Sequence, residues 1–134
     1  MRILLVEPGK KPVLKKIDGS LRSMQEMVGG TIQVLYPFEE PVALICNDEG
    51  KLLGLPLNRA LRDEDGHIYD IVAGTFFLCG APEGSDSLED LTEQQAVYFR
   101  DQFLHPQIFA MMEGKLICLN SDTPFCNQAG DIKE

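Results

Sequence analysis

Residues 31–61 read TIQVLYPFEEPVALICNDEGKLLGLPLNRAL, a series of short apolar runs separated by turn residues. Residues 31–36 alternate apolar and polar side chains, which is typical of a strand with one buried face. Residues 42–46 are apolar throughout, and the Asn-Asp-Glu-Gly sequence at 47–50 has the composition of a hairpin turn. We therefore predict that residues 51–55 return as a strand beside residues 42–46.

The same alternation of strand and turn composition extends to both sides of this stretch. A Pro-Gly-Lys-Lys-Pro segment at 8–12 separates two apolar-rich runs and predicts a hairpin. Acidic residues at 63–65 followed by Gly66 predict a second turn. They do not match a calcium-binding EF-hand loop, because the position that requires a glutamate is Val72. The strands predicted on either side of 31–61, within the first 80 residues, are residues 2–6, 13–17, 68–72 and 75–79.

Two helices are predicted from capping residues and helical spacing. Ser20 is a suitable N-cap for a helix whose apolar stripe is Leu21, Met24, Met27 and Val28, and two glycines at 29 and 30 end it.

Thr92 and Gln95 fit a capping box at the start of the second helix. We expect this helix to span residues 88–104, with Ala96, Phe99 and Phe103 facing the sheet. A shorter helix is predicted at 107–112, and a last strand at 115–119.

These elements predict an α+β fold with a mainly antiparallel sheet of five to seven short strands and two principal helices packed on it. We expect a single domain over residues 1–119, with a core at 1–80 and a helical extension with the last strand at 81–119. Residues 120–134 are polar and are expected to form a C-terminal tail.

Three phrases of the sequence resemble a known family: LVEPGKKP at 5–12, MVGGTIQVLYPFEEPVALICNDEGKLLGLPLNRAL at 27–61 and IYDIVAGTFFLCG at 68–80. They are similar to the domain-of-unknown-function 3846 family of bacterial and phage proteins, over roughly residues 1–80. The resemblance implies a bacterial, phage or mobile-element protein with a small accessory role. The family has no assigned activity, so it implies no mechanism.

The charge is negative and unevenly distributed along the chain. Of the formal net charge of −9, residues 1–67 carry −1 and residues 68–134 carry −8. Such a surface argues against direct nucleic-acid binding and leaves mimicry of DNA as a lesser alternative. No apolar run approaches the roughly 20 residues of a membrane span, and the N-terminus lacks the features of a signal peptide. We therefore expect a cytoplasmic protein without a membrane association.

The residues that commonly carry catalysis or bind metals lack the required spacing. Cys46, Cys79, Cys118 and Cys126 form no C-x-x-C pair, and the first three lie in apolar runs, which favours buried structural thiols. Phosphate-binding and nucleophile-elbow motifs are absent from the sequence. We expect no cofactor and no metal, and we consider a non-catalytic protein more consistent with the sequence than an enzyme.

Residues 56–61, PLNRAL, are the best candidate for a binding site. Asn58 and Arg59 place an amide and a guanidinium in apolar surroundings, where both need partners. With Tyr36, Tyr69 and Asp70 as neighbours, they either form a small pocket in which Arg59 receives a carboxylate or phosphate, or make an internal tie. For the tie, Asp70 and Glu39 are the candidate partners of Arg59.

Two classes of function follow. The first is a non-catalytic interaction module that docks on another protein. The second is a small ligand-binding domain or enzyme that uses Arg59 and the polar groups near it.

Overall fold

The largest sheet contains five strands, and every neighbouring pair is antiparallel; their order across the sheet is Val13–Lys16, Arg2–Val6, Phe76–Gly80, Val42–Asn47 and Ile32–Leu35. The computed structural model describes residues 1–120 and the short strand at 130–131. The strands are β1 (Arg2–Val6), β2 (Val13–Lys16), β3 (Ile32–Leu35), β4 (Val42–Asn47), β5 (Leu57–Arg62), β6 (Ile68–Ala73), β7 (Phe76–Gly80), β8 (Gln107–Met112), β9 (Lys115–Asn120) and β10 (Gly130–Asp131). The helices are α1 (Leu21–Val28) and α2 (Glu93–Gln102).

The α+β class predicted from the sequence is confirmed, but the arrangement of the strands differs from the prediction. Instead of one sheet, the strands form the five-stranded sheet, a two-stranded β5–β6 hairpin and a small β10-β9-β8 sheet. The main sheet has five strands, within the predicted range of five to seven, but the other five strands belong to two separate small sheets.

Both faces of the main sheet are covered, and every residue of β4 and β7 is buried; all of these residues except Asn47 at the end of β4 are apolar or glycine. Helix α1 covers one face, where Met24 and Val28 pack on Ile3, Ile45 and Phe77. Helix α2 covers the other face, where its buried residues belong to the same core as Leu4, Leu44 and Leu78. Successive residues of each strand point to opposite faces, so a single apolar run supplies both cores.

The β5–β6 hairpin lies between the main sheet and the small β8–β10 sheet. Leu61 and Val72 belong to the core on the α2 face of the main sheet. Ala60, Ile68 and Ile71 pack instead on Cys118 of β9. The hairpin turn at 63–66 is confirmed, with the Asp63 Oδ1 accepting from the main-chain N–H of Asp65 and of His67 at 3.0 and 2.9 Å.

The predicted caps of both helices are present. Ser20 accepts a hydrogen bond from the Ser23 N–H at 3.1 Å, and Gly29 ends α1 at φ 76°. Thr92 and Gln95 form the reciprocal capping box of α2.

Helix α2 is shorter than the predicted span of 88–104. The residues before Thr92 are extended: Glu89 pairs with Gly80, and the Leu91 N–H donates to the Arg2 carbonyl oxygen. The N-cap at Thr92 therefore sets the start of the helix, because an N-cap residue has an extended backbone.

Two predicted elements are wrong. Residues 51–55 form turns in place of a strand, with the Leu53 N–H donating to Glu49 and the Leu55 N–H donating to Gly50. The next strand, β5, begins only at Leu57, and it pairs with β6 and not with β4 as the prediction for residues 51–55 required.

Residues 107–112 form strand β8, where a short helix was predicted. Strands β8 and β9 join through Glu113 and Gly114, at φ 52° and 79°, which is the geometry of a tight two-residue hairpin turn. The predicted last strand at 115–119 is confirmed as β9.

The predicted C-terminal tail lies mostly outside the described residues, which omit 121–129 and 132–134. Within it, Gly130 and Asp131 pair with Cys118 and Ile117 of β9. Among the residues that are described, no helix is long and apolar enough to cross a membrane.

Candidate functional site

Asn58 and Arg59 are consecutive residues of β5 that are both buried, with 0% and 1% of their surface exposed. Consecutive residues of a regular strand point to opposite faces. Here the pairing of β5 with β6 shifts register between Leu57 and Arg59, so the strand is bulged at Asn58. The bulge explains how two adjacent polar side chains both enter the interior.

Asn58 joins three parts of the chain. Its Nδ2 donates to the Val6 and Gly74 carbonyl oxygens, both at 2.9 Å. Its Oδ1 accepts from the Arg59 Nη1 at 2.9 Å. The amide therefore ties β5 to the end of β1 and to the β6–β7 turn.

Arg59 directs its guanidinium to main-chain oxygens from distant parts of the chain. Nε and Nη2 donate to the Phe103 carbonyl oxygen at 3.1 and 3.0 Å, and Nη2 also donates to Lys10 at 2.7 Å. Nη1 donates to the side-chain and main-chain oxygens of Asn58 at 2.9 and 3.4 Å. These five contacts match the five N–H groups of a guanidinium, so the geometry favours the internal tie.

The two acids suggested as partners for that tie have other contacts. Asp70 Oδ1 pairs with Lys51 Nζ at 2.5 Å and accepts from the Ile71 N–H at 2.8 Å. Glu39 interacts with Glu64. The contacts of Arg59 described above go to the Asn58 side chain and to main-chain carbonyls, and a sequence pattern does not identify a carbonyl partner.

Tyr36 and Tyr69, two of the predicted site residues, line an open groove with a volume of about 580 Å³. A third tyrosine, Tyr98 of α2, also lines this groove; it was not among the site residues predicted from the sequence. These are the three tyrosines of the chain, and they are 67%, 51% and 47% exposed. The remaining residues that line this tyrosine–acid groove are Pro37, Phe38, Glu39, Glu40, Arg62, Asp63 and Glu64.

An aromatic stack under the groove fixes one of its walls. The Tyr98 ring packs edge-on against Phe99, with centroids 5.0 Å apart. Phe99 in turn packs on Phe38, with centroids 4.6 Å apart, and Phe38 contacts Phe103 at 6.2 Å. Phe99 and Phe103 are buried. The groove is therefore supported by the core and not only by its loops.

The charges of the groove are unbalanced, with four carboxylates against the guanidinium of Arg62. Glu64 shares a hydrogen bond with Glu39 and adds its negative charge, as does Glu40, and these neighbours raise the pKa of Glu39. Partial burial and the nearby Asp70 raise the pKa of Tyr69. The groove is thus aromatic and negative, which suits a positively charged ligand.

The described cysteines behave as structural thiols. Cys46, Cys79 and Cys118 are free and buried. Burial raises the pKa of Cys46 to about 11 and that of Cys79 to about 12, and it also raises the pKa of Cys118. Thiols with raised pKa values are poor nucleophiles at neutral pH. Cys126 lies outside the described residues.

A small group of potential metal ligands lies on the β5–β6 turn. One ligand atom from each of Asp63, Asp65 and His67 comes within 4.8 Å of the others, and all three residues are exposed. The Asp63 carboxylate already accepts two main-chain N–H groups of the turn. These hydrogen bonds indicate that Asp63 stabilises the turn, and they explain why the three residues lie close together.

The fold is thus an α+β domain whose candidate surface is an aromatic and acidic groove. The chain belongs to the family described as Domain of unknown function (DUF3846), whose model matches residues 1–104. The match includes the whole groove and the Arg59 contacts and ends before β8. The chain matches no curated protein and no solved structure.

Proposed function

We propose that this protein is a non-catalytic protein-interaction module, encoded by a phage or mobile element and acting in the cytoplasm, that docks a partner in the tyrosine–acid groove. The observation that carries the proposal is the convergence of the three tyrosines, each about half exposed or more, on one groove. Tyrosine is enriched at protein interfaces because its ring offers apolar area at little cost in side-chain entropy. Three free, buried cysteines also suit a reducing compartment.

The contacts of Arg59 support this proposal over a ligand site centred on that residue. An anion at Arg59 would have to displace a main-chain carbonyl such as that of Phe103 or Lys10. A buried carbonyl oxygen without a donor costs about 1–3 kcal/mol. The guanidinium is therefore better suited to holding the groove's supporting elements than to binding a ligand.

The described acids of the C-terminal half do not favour DNA mimicry. They are spread over β6, the 83–90 loop, α2, the β8–β9 turn and β10. Several have local contacts: Asp70 with Lys51, Glu89 with Ser85, and Asp90 with the Arg2 N–H. Mimicry needs carboxylates in rows at phosphate-like spacing, so we do not propose it.

Site-specific photocrosslinking followed by reconstitution tests the docking proposal. A photoreactive phenylalanine derivative is placed at Tyr36 or Tyr98, and at the exposed control positions Leu52 and Met111 outside the groove. In native host cells we expect one protein to crosslink to the two groove positions and not to the controls. That protein is then identified, purified and titrated against the wild-type chain.

In the purified pair, Tyr98→Ala is expected to weaken binding by at least tenfold, since interface tyrosines are frequent hot spots. Val97→Ala, an exposed neighbour outside the groove, is the matched control and should change binding less than twofold. Equal crosslinking from Leu52 or Met111, or a purified partner that binds the Tyr98→Ala variant as tightly as wild type, would overturn the proposal.

A further inference from the structure

The three tyrosines of the groove come from three separate elements. Tyr36 follows β3, Tyr69 lies in β6 and Tyr98 lies in α2. Rings from different elements can contact several sides of one inserted side chain, which a row of rings along one strand does not do. The faces of such rings attract cations through the ring quadrupole.

Two carboxyl groups of the groove also come from separate elements and meet. Glu39 lies in the segment between β3 and β4, and Glu64 lies in the β5–β6 turn. Both residues line the same groove, and the interaction with Glu64 raises the pKa of Glu39. Two carboxylates this close repel when both are ionised, and a cation placed beside them removes that repulsion. Arg62 is the basic residue that lines the groove, and it donates from Nη1 to the Gly66 carbonyl oxygen at 2.8 Å.

We infer that the occupant of the groove is a basic segment of the partner protein, which inserts a lysine or arginine side chain among the tyrosine rings and places its charge beside Glu39 and Glu64. The inference rests on the proposed function and specifies the chemistry of the partner. The tyrosine rings supply apolar area and cation–π attraction, and the four carboxylates supply long-range attraction. An acidic or neutral segment would leave those carboxylates uncompensated.

An NMR titration of the protein with hexa-arginine tests both the charge of the bound segment and its location in the groove. Hexaglutamate and hexaserine are the control peptides, and the protein carries isotope-labelled tyrosine rings. We expect hexa-arginine to shift the ring signals of Tyr36, Tyr69 and Tyr98, and its affinity to fall as the salt concentration rises. Neither control peptide should shift these signals.

Variants separate binding in the groove from general attraction to an acidic protein. Tyr36→Leu keeps apolar volume but removes the π face, and it should weaken hexa-arginine binding about 3- to 30-fold, whereas Tyr36→Phe should bind like wild type. Glu39→Gln with Glu64→Gln should weaken binding about tenfold. Glu83→Gln with Asp86→Asn removes the same charge from an exposed loop outside the groove and should change binding less than twofold.

Several results would overturn the inference. Equal loss of affinity in the control pair of variants would show nonspecific attraction. Shifts at Glu39 and Glu64 with Mg²⁺ or Ca²⁺ but none with hexa-arginine would indicate a metal site. Concentration-dependent dimerisation in sedimentation that Glu39→Gln with Glu64→Gln abolishes would indicate that a second copy occupies the groove.

The purified partner separates failure of this inference from failure of the proposed function. If Tyr98→Ala weakens that complex while Glu39→Gln with Glu64→Gln and added salt do not, the module docks by its groove but its occupant is not basic. If none of these changes weakens the complex, both proposals fail.

Discussion

The Arg59 guanidinium donates two hydrogen bonds to the main-chain carbonyl oxygen of Phe103, the residue that caps the C-terminus of α2. The last carbonyls of a helix lack intrahelical donors and carry the negative end of its dipole, so a cation is a favourable partner there. Arg59 lies on the hairpin that carries Tyr69, and α2 carries Tyr98. The contact therefore fixes two walls of the groove relative to each other.

Replacing Arg59 with methionine is expected to destabilise the fold by about 3–5 kcal/mol, because the buried oxygens of Phe103 and Asn58 and the partly buried oxygen of Lys10 lose their donors. Urea unfolding measures the change. Arg100→Met, at an exposed position of α2, is the control and should change stability by less than about 0.5 kcal/mol.

If Arg59→Met does not fold, Arg59→Lys gives a second measurement. Lysine keeps the charge but not the planar set of donors, so we expect a smaller loss of stability than for methionine. A cost below about 1 kcal/mol for Arg59→Met would contradict a structural role for the residue.

Replacing Phe103 with alanine is expected to cost about 3 kcal/mol through lost burial and the cavity that remains. The ring is buried and packs edge-on against Phe76, with centroids 5.6 Å apart. Val97→Ala, on the exposed side of α2, should change the free energy of unfolding by less than about 0.5 kcal/mol. A loss below about 1 kcal/mol at Phe103 would mean that this face of α2 is not packed as the structure describes.

Local signals in the sequence were sufficient for the elements that depend on them. Ser20, Thr92 and Gln95 mark helix starts through their own hydrogen bonds to nearby N–H groups, and the structure has both caps. Strand β8 also has a local signal in the sequence. Glu113 and Gly114 lie between two apolar runs, which is typical of a hairpin turn and predicts strands on both sides of it.

The division into three sheets and the contacts of Arg59 depend on long-range packing that no local pattern encodes. Residues 51–55 have the apolar content of a strand, but the chain turns there and the strand that follows pairs with β6. Arg59 bonds to the carbonyl of a residue 44 positions away, and every residue type supplies such a carbonyl. Tyr98 does carry a local signal. It lies outside the apolar stripe of Ala96, Phe99 and Phe103, and an aromatic residue outside the buried stripe of a helix leaves its ring partly exposed, here by 47%.

Slow thiol labelling of the native protein is expected at Cys46, Cys79 and Cys118, because each is buried and each has a raised pKa. The measurement uses a Cys126→Ser variant, mass spectrometry and a maleimide reagent at neutral pH. All three thiols should react quickly after unfolding in urea. Rapid modification of any of them without denaturant would contradict its burial.

The pKa of Glu39 provides the last prediction, since it is raised in the free protein by the hydrogen bond and charge of Glu64 and by the charge of Glu40. The folded protein then holds the proton of Glu39 more tightly than the unfolded chain does, so this group's contribution to stability is lost as the pH rises through the raised pKa. Binding of hexa-arginine has the opposite dependence. It requires ionised Glu39, releases the proton and becomes stronger as the pH rises through the same range.

NMR titration of the Glu39 side-chain carboxyl measures both effects. The other titratable or charged groups that line the groove are Glu40, Asp63, Glu64, Arg62 and the three tyrosines. Glu64→Gln should lower the pKa of Glu39, because an amide at that position can donate to the carboxylate and carries no charge. Glu83→Gln, outside the groove, should leave the titration of Glu39 unchanged. If the pKa of Glu39 does not fall in Glu64→Gln, or if hexa-arginine binds more tightly as the pH falls, the two carboxyl groups do not act together on a bound cation.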